Sequence, residues 1–210
     1  VPWNWKPGKY IELLKIQGGA NRIRYFANSQ KYPLNEDIIN QICLSKNHFY
    51  NKIAKEGGIK LRTGVYRIIR ELNNVGISQW IVTSSGPRAL RTLIESSLES
   101  LKDCFSGFIT SADVKNTKPN PQCYLKAIDN SGFSSQNILV FEDSEAGLLS
   151  SSSALLKTII TPSPWIQHIS ANSFVGASAI INHLGEPNHP CDVIKGPSVH
   201  NGFVTIEYLE

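Results

Sequence analysis

Apolar residues recur at helical spacing through the first part of the chain, then give way to short apolar runs separated by helical stretches. Over residues 10–16 the apolar positions follow the helical period until Gly18-Gly19 interrupts them. Asn35, followed by Asp37-Ile38-Ile39-Asn40-Gln41-Ile42, reads as a capped helix start with apolar positions at 38, 39, 42 and 49, broken at Gly57-Gly58. No strand is evident there, so residues 1–60 read as a small all-helical domain. From Leu61 the rhythm alternates. Residues 65–75 carry a helical stripe ended by Gly76, and Trp80-Ile81-Val82-Thr83 is a short β run that stops in Ser84-Ser85-Gly86-Pro87. Residues 88–101 suit a helix, 107–110 a strand, 121–128 a helix, 138–141 a strand, 145–156 a helix and 158–161 a strand. Beyond Pro162 the chain is rich in Pro, Asn and Ser, with a helical patch over 176–184. Short apolar strands alternating with helices predict an α/β fold for residues 61–210, a Rossmann-like parallel sheet with helices on both faces. Ligands in such sheets bind beyond the carboxyl ends of the strands, here Thr83, the segment after Thr110, and Glu142-Asp143.

Composition narrows this picture by exclusion. The formal charge of +4 comes without any Lys/Arg block, so a nucleic-acid face is not expected and the modest excess reads as serving solubility or small anionic molecules. No apolar run reaches the roughly 18 residues that would suggest a membrane span, and Val1-Pro2-Trp3-Asn4-Trp5 has neither the charged start nor the apolar core of a signal peptide. The four cysteines, 43, 104, 123 and 191, form no CxxC pair and read as reduced thiols. The histidines at 48, 168, 183, 189 and 200 lack zinc-ligand spacing, and no GxSxG, GxxxxGK[ST] or GxGxxG occurs. The chain contains no methionine, so it is expected to begin inside a longer protein.

Candidate chemistry gathers at the strand ends. Glu142-Asp143 at the close of an apolar strand would suit Mg²⁺, which takes one or two carboxylates and keeps several waters. Read alone, Asp143 or Ser144 is a helix cap before it is a metal site. Lys118, held extended ahead of Pro119, could neutralise a phosphoryl group, or simply be a loop lysine. Thr83 and Ser84 could hold phosphate oxygens at the following helix N-terminus, or cap that helix. In the helical part, Gly18-Gly19 would let backbone N–H groups face a ligand, and Arg22 could grip phosphate with two bonds. Lys46 and Arg62 are candidates for a second anionic group, each otherwise a solvated charge.

Order outweighs these separate readings. A strand ending in Thr-Ser, a Lys-Pro-Asn-Pro after the next strand, and Glu-Asp-Ser after the following one resemble the second, third and fourth motifs of the haloacid dehalogenase superfamily. The stretch Tyr10-Ile11-Glu12-Leu13-Leu14-Lys15-Ile16-Gln17-Gly18-Gly19-Ala20-Asn21-Arg22-Ile23 is similar to the start of a CbbY-type cap. Leu61-Arg62-Thr63-Gly64-Val65 resembles that family's return to the core, and Asn182-His183-Leu184-Gly185-Glu186-Pro187 its C-terminal segment. Leu155 stands where the family often has glycine.

The resemblance implies a superfamily core with a small all-helical cap, and a Mg²⁺-dependent phosphatase acting on a sugar phosphate. Xylulose-1,5-bisphosphate, an inhibitor of Rubisco, is the expected substrate. It implies that Thr83 binds the transferring phosphoryl group, Lys118 stabilises its charge, Glu142 and Asp143 hold Mg²⁺, and Gly18, Gly19, Arg22, Lys46, Arg62 and Ser84 bind substrate. The family's first motif, Asp-x-Asp-Gly-Thr, is absent, and no Asp-x-Asp occurs among the 210 residues. The nucleophile is therefore expected in a segment preceding Val1. A non-catalytic sugar-phosphate-binding protein and a β-phosphoglucomutase-like mutase are the alternatives. The protein is further expected to be monomeric and cytoplasmic, or in the plastid stroma. Alanine at Lys118 or Asp143 is expected to abolish turnover and leave the fold intact.

Overall fold

The computed structural model describes residues 3–210 apart from 15, 17, 165, 167 and 168. Lys15 and Gln17 of the 10–23 stretch, and His168, thus lie outside the described residues. The chain divides into two compact units, Val1–Glu56 and Gly57–Glu210.

The first unit is helical: α1 spans Pro7–Leu14, α2 Gly19–Ser29 and α3 Glu36–Lys55. The start of α3 is fixed by Asn35, whose side-chain oxygen accepts from the Ile38 N–H at 2.9 Å. Glu36 and Asp37 occupy its first turn and Lys52 and Lys55 its last, the arrangement that suits the helix dipole. Leu13, Ile23, Phe26, Ala27, Ile39 and Ala54 supply the buried apolar side chains.

The second unit is the α/β part. Its elements are α4 (Val65–Asn74), β1 (Trp80–Val82), α5 (Pro87–Ser96), β2 (Gly107–Ile109), α6 (Gln122–Ser131), β3 (Leu139–Glu142), α7 (Glu145–Ser153), β4 (Lys157–Ile160), β5 (Ala179–Ile181), β6 (Val193–Lys195) and α8 (Ile206–Leu209). Strands β1 and β2 pair in parallel. A separate four-stranded sheet runs β3-β4-β5-β6, parallel except for the antiparallel β6. The same helices cover both sheets. On one face, Ile68 of α4 packs with Leu139, Phe141, Ile159 and Ile181, while Ile69 of α4 and Ile81 of β1 both pack against Leu98, Leu101 and Cys104. On the other, Cys123 and Tyr124 of α6 join Trp80 and Val82 of β1 with Val140 of β3. The alternation of side chains along each strand feeds these two layers.

Three expectations differ from the structure. The helical patch over 176–184 is instead β5, whose three residues are all buried. Ala179 and Ile181 face one layer and Ile180 the other, and a run apolar on both sides has no period to read. Strand β6 was not expected at all. The helix over 88–101 ends at Ser96 and is followed by a 3₁₀ turn over Glu99–Cys104. All four cysteines are free, as read from their spacing. Among the described residues, no helix is long and apolar enough to cross a membrane.

Candidate active site

The carboxyl ends of β1 and β3 are joined by one side chain. Lys118 Nζ donates to the Val82 carbonyl at 2.8 Å, to the Tyr124 hydroxyl at 3.3 Å, and to Glu142 Oε1. The ammonium also lies 4.9 Å from the centre of the Tyr124 ring. The Tyr124 hydroxyl donates to the same Glu142 oxygen. Burial and the neighbouring carboxylate push its pKa far above the ordinary phenol range, so it is a neutral donor here. The other Glu142 oxygen rests on Gly147, where even a methyl group would overlap it. Glu142 is thus enclosed by Lys118, Tyr124 and α7.

Capping is now assigned. Ser144 is the N-cap of α7, its hydroxyl accepting from the Gly147 N–H at 3.2 Å. Asp143 is released from that role and is exposed at the end of β3. The Glu142-Asp143 pair therefore diverges: one carboxylate points inward to lysine, the other outward. Among the described residues no three His, Cys, Asp or Glu side chains form a metal-holding group. What the strand end offers a cation is one exposed carboxylate, compatible with Mg²⁺ because that ion commonly takes one or two protein carboxylates and fills its shell with water and phosphate oxygens.

The end of β1 behaves similarly. The N-cap position of α5 belongs to Gly86, without a side-chain bond, so neither Thr83 nor Ser84 caps that helix. Thr83 is fastened by its N–H to the Ile109 carbonyl at 2.8 Å, and its hydroxyl accepts from the Ser85 N–H at 3.0 Å. Ser84 is exposed beside it. After β2, Asp113 takes both the Thr110 N–H and hydroxyl, at 2.8 and 2.7 Å, which hold its carboxyl below the usual range and shape the loop leading to Lys118.

The two arginines are engaged differently from the sequence reading. Arg62 Nη1 donates to the Thr161 carbonyl at 2.7 Å and Nη2 to the Asn182 carbonyl at 2.6 Å, tying the end of β4 to the end of β5. Burial lowers its guanidinium from the ordinary value, while Asp143 acts in the opposite direction. Arg22 Nε donates to the Leu13 carbonyl at 2.9 Å and Nη2 to that of Ile16 at 3.2 Å, so it closes the end of α1. Both guanidinium groups are thus engaged by backbone carbonyls, Arg22 through two of the nitrogens that a two-pronged grip on phosphate would use. Lys46 does stand by the glycine pair: a β-carbon at Gly19 would lie 3.6 Å from its Nζ. Sequence reasoning missed Tyr124 and Gly147; a tyrosine between Cys123 and Leu125 in the first turn of α6 was the available signal, since buried phenols need partners.

This architecture has known counterparts. A family profile described as haloacid dehalogenase-like hydrolase matches residues 13–161. The chain belongs to the haloacid dehalogenase-like hydrolases. Within them it is of the CbbY type, and phosphatase activity is the activity class of that group. The plasmid-encoded protein CbbY of Cupriavidus necator is 30% identical over 201 residues, which cover 90% of this chain and 76% of that protein. A crystal structure of mutant CbbY from Rhodobacter sphaeroides in complex with xylulose-1,5-bisphosphate matches with a TM-score of 0.78 and 27% identity, over 87% of this chain and 80% of that one. A second crystal structure of that CbbY, in complex with phosphate, matches equally. A β-phosphoglucomutase from Clostridium difficile shares the fold, with a TM-score of 0.60 and 22% identity over 72% of this chain and 68% of that one.

Proposed function

We propose that this hydrolase removes phosphate from a small sugar bisphosphate, with xylulose-1,5-bisphosphate the substrate, in a Mg²⁺-dependent reaction through an aspartyl-phosphate. The observation that carries the reading is Lys118, a buried cation fixed between the ends of two parallel strands, with the exposed Asp143 next to its carboxylate partner. Phosphoryl transfer asks chiefly for positioning and for preorganised charge, and both are features of this arrangement.

In this reading the Thr83 hydroxyl and the N–H groups of Ser84 and Gly86 hold the phosphoryl oxygens, the Ser85 N–H being given to Thr83. Lys118 stabilises the charge that develops on them. Asp143 holds Mg²⁺, and Glu142 serves the metal only indirectly, by fixing Lys118. Bound there, Mg²⁺ would neutralise phosphoryl charge as substrate and nucleophile approach. In the helical unit, Lys46 and the N–H groups of Gly18 and Gly19 form an anion-binding position of that unit's own, as helix N-termini accept anions. Arg22 and Arg62 shape their loops.

The nucleophile is an aspartate carried by a strand between β1 and β3. In support, each of these two strands is paired on one side only among the described strands, although α4 and α6 pack across both. The aspartate attacks phosphorus, the bond to the sugar oxygen breaks, and water then releases phosphate from the carboxyl group. Incubation with xylulose-1,5-bisphosphate and Mg²⁺ tests the reading by counting free phosphate against isomerised sugar phosphate. Stoichiometric phosphate release supports it. Isomer formation would turn it into a mutase, and tight binding without either product into a binding protein.

A further inference from the structure

We propose that Tyr124 is a positioning residue for Lys118, acting through its hydroxyl on Glu142, an inference that rests on the phosphatase reading for the use made of the lysine. Tyr124 sits in the first turn of α6 and is 4% exposed, so it cannot itself reach a substrate. A buried phenol that only filled space would be served as well by phenylalanine, which has no hydroxyl to desolvate.

Here the hydroxyl is used twice. It donates to Glu142 Oε1 and accepts from Lys118 Nζ at 3.3 Å. The three donors of an ammonium are thereby all accounted for: the Val82 carbonyl, the Glu142 carboxylate and the Tyr124 oxygen. With one acceptor for each donor, the ammonium has a single orientation. The carboxylate has one as well, since Oε1 is held by two donors and Oε2 is pressed onto Gly147. A lysine on a flexible four-carbon stem gains its placement from such partners rather than from its own geometry. The aromatic ring adds attraction beneath the cation, but a ring alone does not fix the orientation of an N–H.

Tyr124→Phe separates the two contributions, because the ring, its packing and its contact with the cation are kept. The protein is exposed to an amine-acetylating reagent, and modification of Lys118 is followed by mass spectrometry. Lys126, on the same helix and bonded to the Asp113 carbonyl at 3.0 Å, is the internal reference. We expect acetylation of Lys118 to accelerate by about fivefold or more, as a locally loosened group should, with Lys126 unchanged. In parallel, kcat for phosphate release should fall about 10- to 100-fold with KM nearly constant, the signature of lost positioning. Unchanged Lys118 reactivity and unchanged kcat would overturn the proposal. So would acceleration at both lysines with a lower Tm, which marks general loosening. If neither protein turns over substrate but Lys118 alone still accelerates, the positioning role stands and the phosphatase reading fails.

Discussion

Lys118 and Glu142 are 11% and 7% exposed at their side chains, and this burial changes what substitutions mean. The motif alone led to the expectation that alanine at Lys118 would spare the fold. Removing one partner of a buried pair leaves an uncompensated charge, which costs about 3–5 kcal/mol. Lys118→Ala should therefore lower stability in urea titrations by that order. A second change, Glu142→Gln, should restore much of the loss without restoring activity. The identity of Lys118 as a chemical residue was legible from its order among the motifs. Its partner was not, because sequence treats Glu142 and Asp143 as a pair, and only the packing of α7 at Gly147 turns one of them inward. Arg62 was legible as a position, but its bonds to the Thr161 and Asn182 carbonyls were not. Arg62→Ala should destabilise the protein by about 1–3 kcal/mol, since the Thr161 and Asn182 carbonyls lose charged donors. If thermal unfolding is unchanged and KM alone rises, Arg62 is a substrate ligand after all.

At the scale of elements, the stretches around Arg62 and Asn182 meet. The Leu184 N–H donates to the Thr63 carbonyl at 3.2 Å, and a side chain at Gly64, whose φ is +83°, would collide with Leu184 and Gly185. The two stretches singled out in the sequence as separate signatures are one joint that seats α4 on β5. Within it, His183 Nδ1 accepts from the Gly185 N–H at 3.1 Å, an acceptor role that only the unprotonated nitrogen can fill. Burial first, then His189 and Arg62, lower the pKa of His183. The unfolded chain thus binds this proton more readily than the folded one. Stability from this group is present above the unfolded value of about 6.5 and is lost as pH falls through the lower, folded value. His183→Gln should flatten the acid side of a Tm-against-pH curve; an unaltered curve would remove His183 from the joint's pH dependence. At the end of α7, Leu155 has φ +59° and is 82% exposed. Relief of about 1–2 kcal/mol of left-handed strain slightly exceeds the backbone entropy cost of glycine. Leu155→Gly should raise Tm by about 1–2 °C, and a fall would show that the strain is absorbed elsewhere.

For the whole molecule, alternation of strand and helix made the parallel architecture legible, while β5 and β6 escaped because short buried or edge strands carry no periodic signal. Among the described residues the two sheets share covering helices yet exchange no ladder, and the chemistry falls at one position, the carboxyl ends of β1 and β3. Lys118 spans that position from the side of α6. A phosphoryl group received there would meet Thr83 from one strand and a metal on Asp143 from the other. Asp143 is the group on which the account turns, because it is exposed, caps no helix, and can be changed without disturbing the buried pair beside it. The most direct test is the Mg²⁺-dependent release of phosphate from xylulose-1,5-bisphosphate by the protein and its Asp143→Asn variant. The variant is expected to fold normally, to lose about 100-fold or more in kcat/KM and no longer to respond to Mg²⁺. A variant with the parent's rate and the parent's response to Mg²⁺ would contradict this role of Asp143.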